Sequence, residues 1–284
     1  MHQMLASIDL PDRLYRRLAK LAYETAGIAL GETKRELVRA RLIPRLEAVG
    51  LHTFEEYYQV LSKHDTDGAE LIQMLEAIST HKTDFFRERE QFIFLAETVL
   101  PALANRAKAR RDYRIRLWSA GCSSGEEPYT IAMVLRDTLD PSLPWDAKIL
   151  ATDISAKVLH FAHEGAYEES KVSAVPSRFR SACFAAERTD KGAVFRMKPE
   201  VRQMVTFRRL NLINANFPFA GAFDVIFCRN VMIYFDRNTQ EVLLGKFHRY
   251  LSPGGYLFVG QSESLDALRT PLRLLRPAVY VKRA

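Results

Sequence analysis

Beyond residue 113, five short apolar runs, RIRLWSA, KILATD, MVTFRRLN, FDVIFCRN and GYLFVG, alternate with stretches of helical periodicity at 127–138, 154–163 and 238–251. Strand and helix in alternation predict a mostly parallel sheet covered on both faces. One connection breaks the rhythm. The helix after KILATD should stop near Gly165 and the next strand begins near Met204, which leaves roughly 40 residues where about 2–6 normally suffice. An insert is therefore expected over about 167–203, and AVFRM with turn residues at Asp190 to Gly192 makes it a small antiparallel β-subdomain.

Residues 1 to about 85 read differently, as helices. Leu14, Leu18 and Leu21 recur at helical spacing, Pro11 suits a first turn, and Gly27 is placed to stop the helix. Thr33 with Glu36 and Thr53 with Glu56 fit the capping-box pattern, in which each side chain satisfies an orphan amide at a helix start. After a turn at Asp65 to Gly68, Leu71, Ile72, Leu75 and Ile78 resume the helical spacing. No apolar run approaches the ~18 residues that span a bilayer, and the N-terminus lacks a signal-peptide pattern. A cytoplasmic protein is expected, without direct membrane insertion. Cys122, Cys183 and Cys228 show no metal spacing, so they are expected to be free thiols, with no metal centre.

The segment LWSAGCSSGEEPYT, residues 118–131, has the strand, glycine turn and helix that commonly cradle a phosphate. It keeps Gly121 and Gly125 but puts Glu126 and Glu127 in the first helical turn. Two carboxylates there would repel a pyrophosphate by several kcal/mol at intermediate dielectric, so a diphosphate cofactor is disfavoured. Both acids could simply complement the helix dipole. The functional alternative is a cationic ligand, and S-adenosylmethionine offers an ammonium, which Glu127 would pair, and a sulfonium.

Asp153 ends the next strand, where a carboxylate can accept from two ribose hydroxyls or cap the following helix. Asn211 and Leu212 follow a third strand, where they could flank an adenine; Arg229, Asn230 and Tyr234 follow a fourth. Ligands of open parallel sheets bind outside the carboxyl ends of the strands, so these residues should converge on one crevice.

Taken together and in order, STHKTDFFRE, SAGCSSGEEPY, ATDIS, FDVIFCRNVMIYFD and LSPGGYLFVGQSE resemble the CheR-type chemoreceptor methyltransferases. The resemblance runs from YETAGIAL near residue 23 to the end of the chain. It implies an α/β fold in which an all-α N-terminal domain, residues 1–88, for receptor recognition and part of the active site, precedes a Rossmann-like S-adenosylmethionine-dependent methyltransferase domain, residues 89–284. It implies transfer of a methyl group to receptor glutamates, leaving S-adenosylhomocysteine. The family's cofactor contacts fall on Thr83, Arg87, Glu127, Asp153, Asn211, Leu212, Arg229 and Asn230, with Gly121 in the loop; Arg87 and Tyr234 lie nearest the methyl. His81 departs from the family, which has asparagine there and uses it on the cofactor. Some members dock a receptor's C-terminal peptide on the β-subdomain through a glycine-containing loop; AAERTDKGAV has few glycines, so tethering is not assumed.

A glutamate acceptor, with a pKa near 4.3, is ionised at neutral pH and needs no general base. This fits a chain without an obvious catalytic His or Cys pair. The net charge of +7 favours an acidic partner. Lys34, Arg41 and Arg45 fall within about 40° on a helical wheel, with Arg35 and Arg39 nearby, although Pro44 interrupts that helix. These five are the candidate contacts to the cytoplasmic helical bundle of a chemoreceptor, and a monomer is expected. A nucleic-acid methyltransferase would also be basic, but CRNVMIYF lacks the proline pair of base-amino methylases, and no basic-aromatic stacking platform is evident. No nucleic-acid partner is therefore expected. A noncatalytic adaptor is the other alternative, against which Arg87, Glu127, Asp153 and Tyr234 speak.

Overall fold

Apolar residues at helical spacing build the first of two compact units, which comprises Met1–Lys82 and Tyr234–Thr239; Thr83–Ile233 and Gln240–Ala284 form the second. The computed structural model describes residues 8–65, 68–79, 83–189, 192–265 and 267–283. The first unit contains α1 (Asp12–Ala26), α2 (Arg35–Ala48), α3 (Phe54–Gln59), which continues as a π turn over Val60–His64, and α4 (Ala69–Ile78). Leu14, Leu18, Leu42, Leu46, Phe54, Tyr57 and Leu75 are buried between them. Gly27, at φ 72°, ends α1 as expected, its amide donating to the Tyr23 carbonyl at 2.8 Å.

The capping box at Thr53 forms: Glu56 N donates to Thr53 Oγ1 at 3.2 Å and Thr53 N to Glu56 Oε2 at 2.9 Å. The one expected at Thr33 does not. A 3₁₀ turn over Glu32–Lys34 takes Thr33 inside it, and Glu36 instead accepts from Arg39 Nε at 2.9 Å. Gly68 precedes α4 and has no side chain, so Asp65 reaches forward to accept from Glu70 N and Leu71 N at 3.0 and 2.6 Å. α2 runs through Pro44 without ending there. Tyr234 joins this unit because its carbonyl accepts from Ala29 N at 2.8 Å, while Tyr23 donates its hydroxyl to Asp236 at 2.9 Å.

The second unit opens with α5 (Arg89–Phe94) and α6 (Leu100–Arg110). There follow β1 (Arg114–Ala120), α7 (Glu126–Thr138), β2 (Asp146–Asp153) and α8 (Ala156–Glu164). Next come β3 (Ala166–Glu168), α9 (Glu169–Val172), α10 (Ser177–Cys183), β4 (Phe184–Thr189), β5 (Gly192–Met197) and α11 (Pro199–Arg202). The chain closes with β6 (Val205–Arg209), β7 (Phe223–Cys228), α12 (Arg237–Tyr250), β8 (Leu251–Val259), β9 (Arg273–Arg276) and β10 (Val279–Val281).

Seven strands pair in the order β6-β2-β1-β7-β8-β10-β9. β6, β2, β1, β7 and β8 are parallel, and β10 runs antiparallel to both β8 and β9. Alternation along β1 explains the layers. Ile115 and Leu117 join a buried cluster with Ile131, Met133 and Leu135 of α7. Trp118 points to the opposite face, where it meets Phe217, Phe247 of α12 and Phe223 of the neighbouring β7, and its indole N–H donates to Thr152 at 2.9 Å.

The expected insert is a three-stranded antiparallel sheet in the order β3-β5-β4, entered through Gly165 at φ 60°. Asp190 of its predicted turn lies outside the described residues. Among the described residues no helix is long and apolar enough to cross a membrane, and Cys122, Cys183 and Cys228 are buried free thiols.

Candidate cofactor site

Strand order reverses about β1, which lies between β2 and β7 while the chain passes from β1 to β2 to β6 before returning. The carboxyl ends of these parallel strands are therefore the place for a ligand. The Gly121–Gly125 loop, Asp153, the 210–212 loop, Arg229 with Asn230, and Gly260 to Glu263 all follow those ends.

The glycine loop is closed on itself. Gly121 N and Cys122 N both donate to the Thr152 carbonyl at 2.8 and 2.9 Å, Gly125 N donates to the Cys122 carbonyl at 3.1 Å, and Ser123 N donates to Asp153 Oδ2 at 2.9 Å. These four loop amides are thus already engaged within the protein, and the first helical turn that follows carries two carboxylates, neither of which suits a diphosphate. Gly121 sits at φ 81°, and a Cβ there would lie 2.4 Å from Val231 Cγ2. Only glycine meets both demands.

The paired glutamates part company. Glu126 is 1% exposed, accepts from Ser124 Oγ at 2.6 Å and lies 3.5 Å from Lys171 Nζ. Lys171, on α9 of the inserted subdomain, also donates to the Thr83 carbonyl at 2.6 Å and to Asp84 Oδ1 at 3.0 Å. Glu126 is accordingly a buried internal link. Burial pushes its carboxyl above the ordinary value, against the pull of Ser124 and Lys171. Glu127 accepts from Ser119 Oγ at 2.6 Å and Arg229 Nη1 at 3.0 Å. Burial raises its carboxyl too; Arg229 and Ser119 oppose the rise, and the Glu88 charge adds to it.

Arg229 anchors the next layer. Its side chain is 3% exposed and lies 3.2 Å from Glu88 Oε2 as well as 3.0 Å from Glu127. It also donates to the Arg87 carbonyl and lies over the Phe92 ring. Asn230, at φ 59°, and Gly260 both donate their amides to Glu263 Oε2, at 2.8 and 2.6 Å. Phe86 and Glu88, at φ 56° and 57°, flank Arg87. Non-glycine residues in that region cost about 1–3 kcal/mol each, and strain of this kind gathers at functional sites.

Other expected residues stand as follows. Asp153, 8% exposed, accepts from Ser123 N with one oxygen and from Ser155 N at 3.1 Å with the other. Asn211 is half-buried and accepts Ile213 N at 3.2 Å, and Leu212 is buried. Thr83 is half-buried and Arg87 exposed. His81 lies outside the described residues. Tyr234 lies in the first unit. In that unit Lys34 is exposed, whereas Arg35, Arg39, Arg41 and Arg45 are partly covered. Arg35 reaches Asp12 at 2.7 Å, Arg39 the Ile8 carbonyl at 3.2 Å, and Arg41 the Ile78 carbonyl at the end of α4. Arg45 grips Glu70 with two hydrogen bonds, and Tyr57 donates to the same carboxylate at 2.7 Å. Glu88, Glu263 and Lys171 were not legible as site residues. Glu88 adjoins Arg87 in FFRE, but its partners come from distant segments.

The chemistry of this set fits a cationic molecule that carries ribose. Glu88, Glu127, Asp153 and Glu263 gather here with Arg229. The Asp153 oxygens accept from the Ser123 and Ser155 amides at the end of β2, where a carboxylate is placed to meet ribose hydroxyls. Arg229 Nε is buried without a hydrogen-bond acceptor. A ligand bringing one would complete it.

Two family models match the chain: "CheR methyltransferase, all-alpha domain" over residues 13–79 and "CheR methyltransferase, SAM binding domain" over residues 81–281. A chemotaxis protein methyltransferase of Borreliella burgdorferi is 42% identical over 267 residues, covering 94% of this chain and 93% of that one. A probable chemotaxis protein methyltransferase of Rhizobium etli is 41% identical, covering 87% of this chain and 90% of that one. The chemotaxis protein methyltransferase of Escherichia coli is 37% identical, covering 98% of this chain and 93% of that one.

Proposed function

We propose that this chain, which belongs to the CheR methyltransferase family, transfers a methyl group from S-adenosylmethionine to the side-chain carboxylate of glutamates in chemoreceptors. Methylation in chemotaxis follows from membership; the glutamate acceptor is the further step. What supports the cofactor is the glycine loop beneath buried acids, which leaves the strand ends suited to a cation and a ribose; the glutamate acceptor rests on the family resemblance and on a chemistry that needs no base. Asp153 would take the ribose hydroxyls, Glu127 the ammonium, Arg229 the carboxylate, and Asn211 with Leu212 the adenine. Thr83, Gly121 and Asn230 complete the wall.

Bound there, S-adenosylmethionine supplies an electrophilic methyl on a sulfonium and leaves as S-adenosylhomocysteine. The residues of this chain have to hold an ionised glutamate oxygen about 3 Å from it, strip its water and align it. Arg87, with its planar fork, orients the acceptor carboxylate; the resemblance gives Tyr234 a catalytic role as well. No base is required, because the acceptor is deprotonated at neutral pH. Lys34, Arg35, Arg39, Arg41 and Arg45 form the basic side that meets an acidic helical receptor. Added salt should weaken receptor binding and leave cofactor binding intact.

The test is incubation with methyl-labelled cofactor and cytoplasmic receptor fragments. An alkali-labile label on glutamate supports the proposal. A stable label on nucleic acid, or tight cofactor binding without transfer, refutes it.

A further inference from the structure

Arg87 is held in an unusual way. The residues on either side of it, Phe86 and Glu88, both adopt left-handed backbone at φ 56° and 57°. Its own amide donates to the Asp84 carbonyl at 3.3 Å, and its carbonyl accepts from Arg229. Phe86 is pinned on the far side, its amide donating to Thr130 at 3.2 Å and its ring stacked 5.1 Å from Phe179. On the near side everything converges on the Glu88 carboxylate. Oε2 lies 3.2 Å from Arg229 Nη2 and accepts from Gln91 Nε2 at 3.0 Å and Gln261 N at 3.2 Å. Oε1 faces Asn230 Nδ2 at 3.5 Å. Gln91 in turn donates to the Val259 carbonyl at 2.8 Å. One side chain therefore ties the Arg87 segment to the loops after β7 and β8.

We propose that Glu88 is a positioning residue for methyl transfer: through Arg229 it fixes the Arg87 peptide, and so the direction in which the Arg87 guanidinium is presented. This rests on the assignment of Arg87 to the acceptor carboxylate. The chemistry requires a carboxylate at this position. All four groups facing it are donors, and the one guanidinium among them is shared with Glu127, so an uncharged amide at 88 would turn a donor toward a donor and leave Arg229 with one carboxylate. Glu88 need not touch cofactor or acceptor to act. Its effect passes through the backbone of its neighbour.

A double-mutant cycle on the full chain tests the inference, with turnover measured at saturating cofactor and receptor fragment, and thermal melting as a check on folding. Glu88→Gln should lower kcat by about 100-fold, the loss that an ångström of misplacement can bring. Arg87→Ala should lower it comparably, and adding Glu88→Gln to Arg87→Ala should change kcat by less than about threefold, since nothing remains to be positioned. Multiplicative losses in the double variant, or a Glu88→Gln enzyme with normal kcat, overturn the positioning role while leaving the proposed reaction in place. An Arg87→Ala enzyme with undiminished kcat removes Arg87 from the reacting atoms and takes the assignment itself down. Should Glu88→Gln not fold, Glu88→Asp, which keeps the charge and shortens the reach, enters the same cycle under the same criteria.

Discussion

Replacing Arg229 with methionine removes a charge but keeps much of the volume, so the loss it causes is electrostatic. The side chain is 3% exposed and serves Glu88 and Glu127, themselves 13% and 12% exposed, as well as the Arg87 carbonyl. Removing one partner of a buried pair costs about 3–5 kcal/mol, because the stranded charge keeps its desolvation penalty. For a unit of this size each kcal/mol moves the midpoint by roughly 2–4 °C, so Arg229→Met should melt about 6–20 °C lower. Both tryptophans, Trp118 and Trp145, lie in the methyltransferase unit, so their fluorescence during denaturant unfolding reports on that unit alone.

The loss should also depend on pH. Burial already holds the Glu127 carboxyl above its ordinary value, and without Arg229 the main opposing influence disappears. A carboxyl with a raised folded pKa favours the folded state below its unfolded value, and that contribution is lost as pH rises through the folded pKa. In the variant the folded value rises further, so its deficit should be larger at neutral pH than in mild acid. A loss below about 1 kcal/mol, or one equal at both pH values, would show that Arg229 does not neutralise these acids.

Glu127→Gln should weaken cofactor binding at neutral pH and flatten its pH dependence; in the unaltered protein calorimetry should find affinity falling as pH drops through the raised Glu127 pKa. A pH-independent affinity in the unaltered protein would take Glu127 off the ammonium. Gly121→Ala meets both the positive φ and the contact with Val231, and should cost at least about 2 kcal/mol. Val231→Ala should recover part of that loss; no recovery would mean that backbone strain alone is responsible. Arg45→Gln should reduce the stability of the helical unit by about 1 kcal/mol, a partly exposed pair being worth little more. If receptor binding falls with no change in stability, Arg45 serves the receptor and not Glu70.

The five parallel strands were legible because each is a short apolar run, and the insert because the gap before Met204 is too long for a loop. β9 and β10 were not. RLLR and VYV are brief, one is wholly exposed, and Pro277 with Ala278 at φ 62° joins them. Local signals failed where geometry competed. At Thr33 a 3₁₀ turn displaced the capping box, and at α4 Asp65 capped from outside the usual position. Strand periodicity could not say which of two adjacent glutamates faces Lys171 and which faces Arg229. Nor could it reveal Glu88, whose contact with Asn230 joins residues 142 positions apart.

The most direct measurement follows the label itself. With methyl-labelled S-adenosylmethionine and the receptor's cytoplasmic bundle, the label should appear on glutamate side chains and leave as methanol in mild alkali. With Asp153 assigned to the ribose as proposed, Asp153→Asn should reduce the yield at limiting cofactor. Label that withstands alkali, or none transferred by a protein shown to bind the cofactor, would contradict the account.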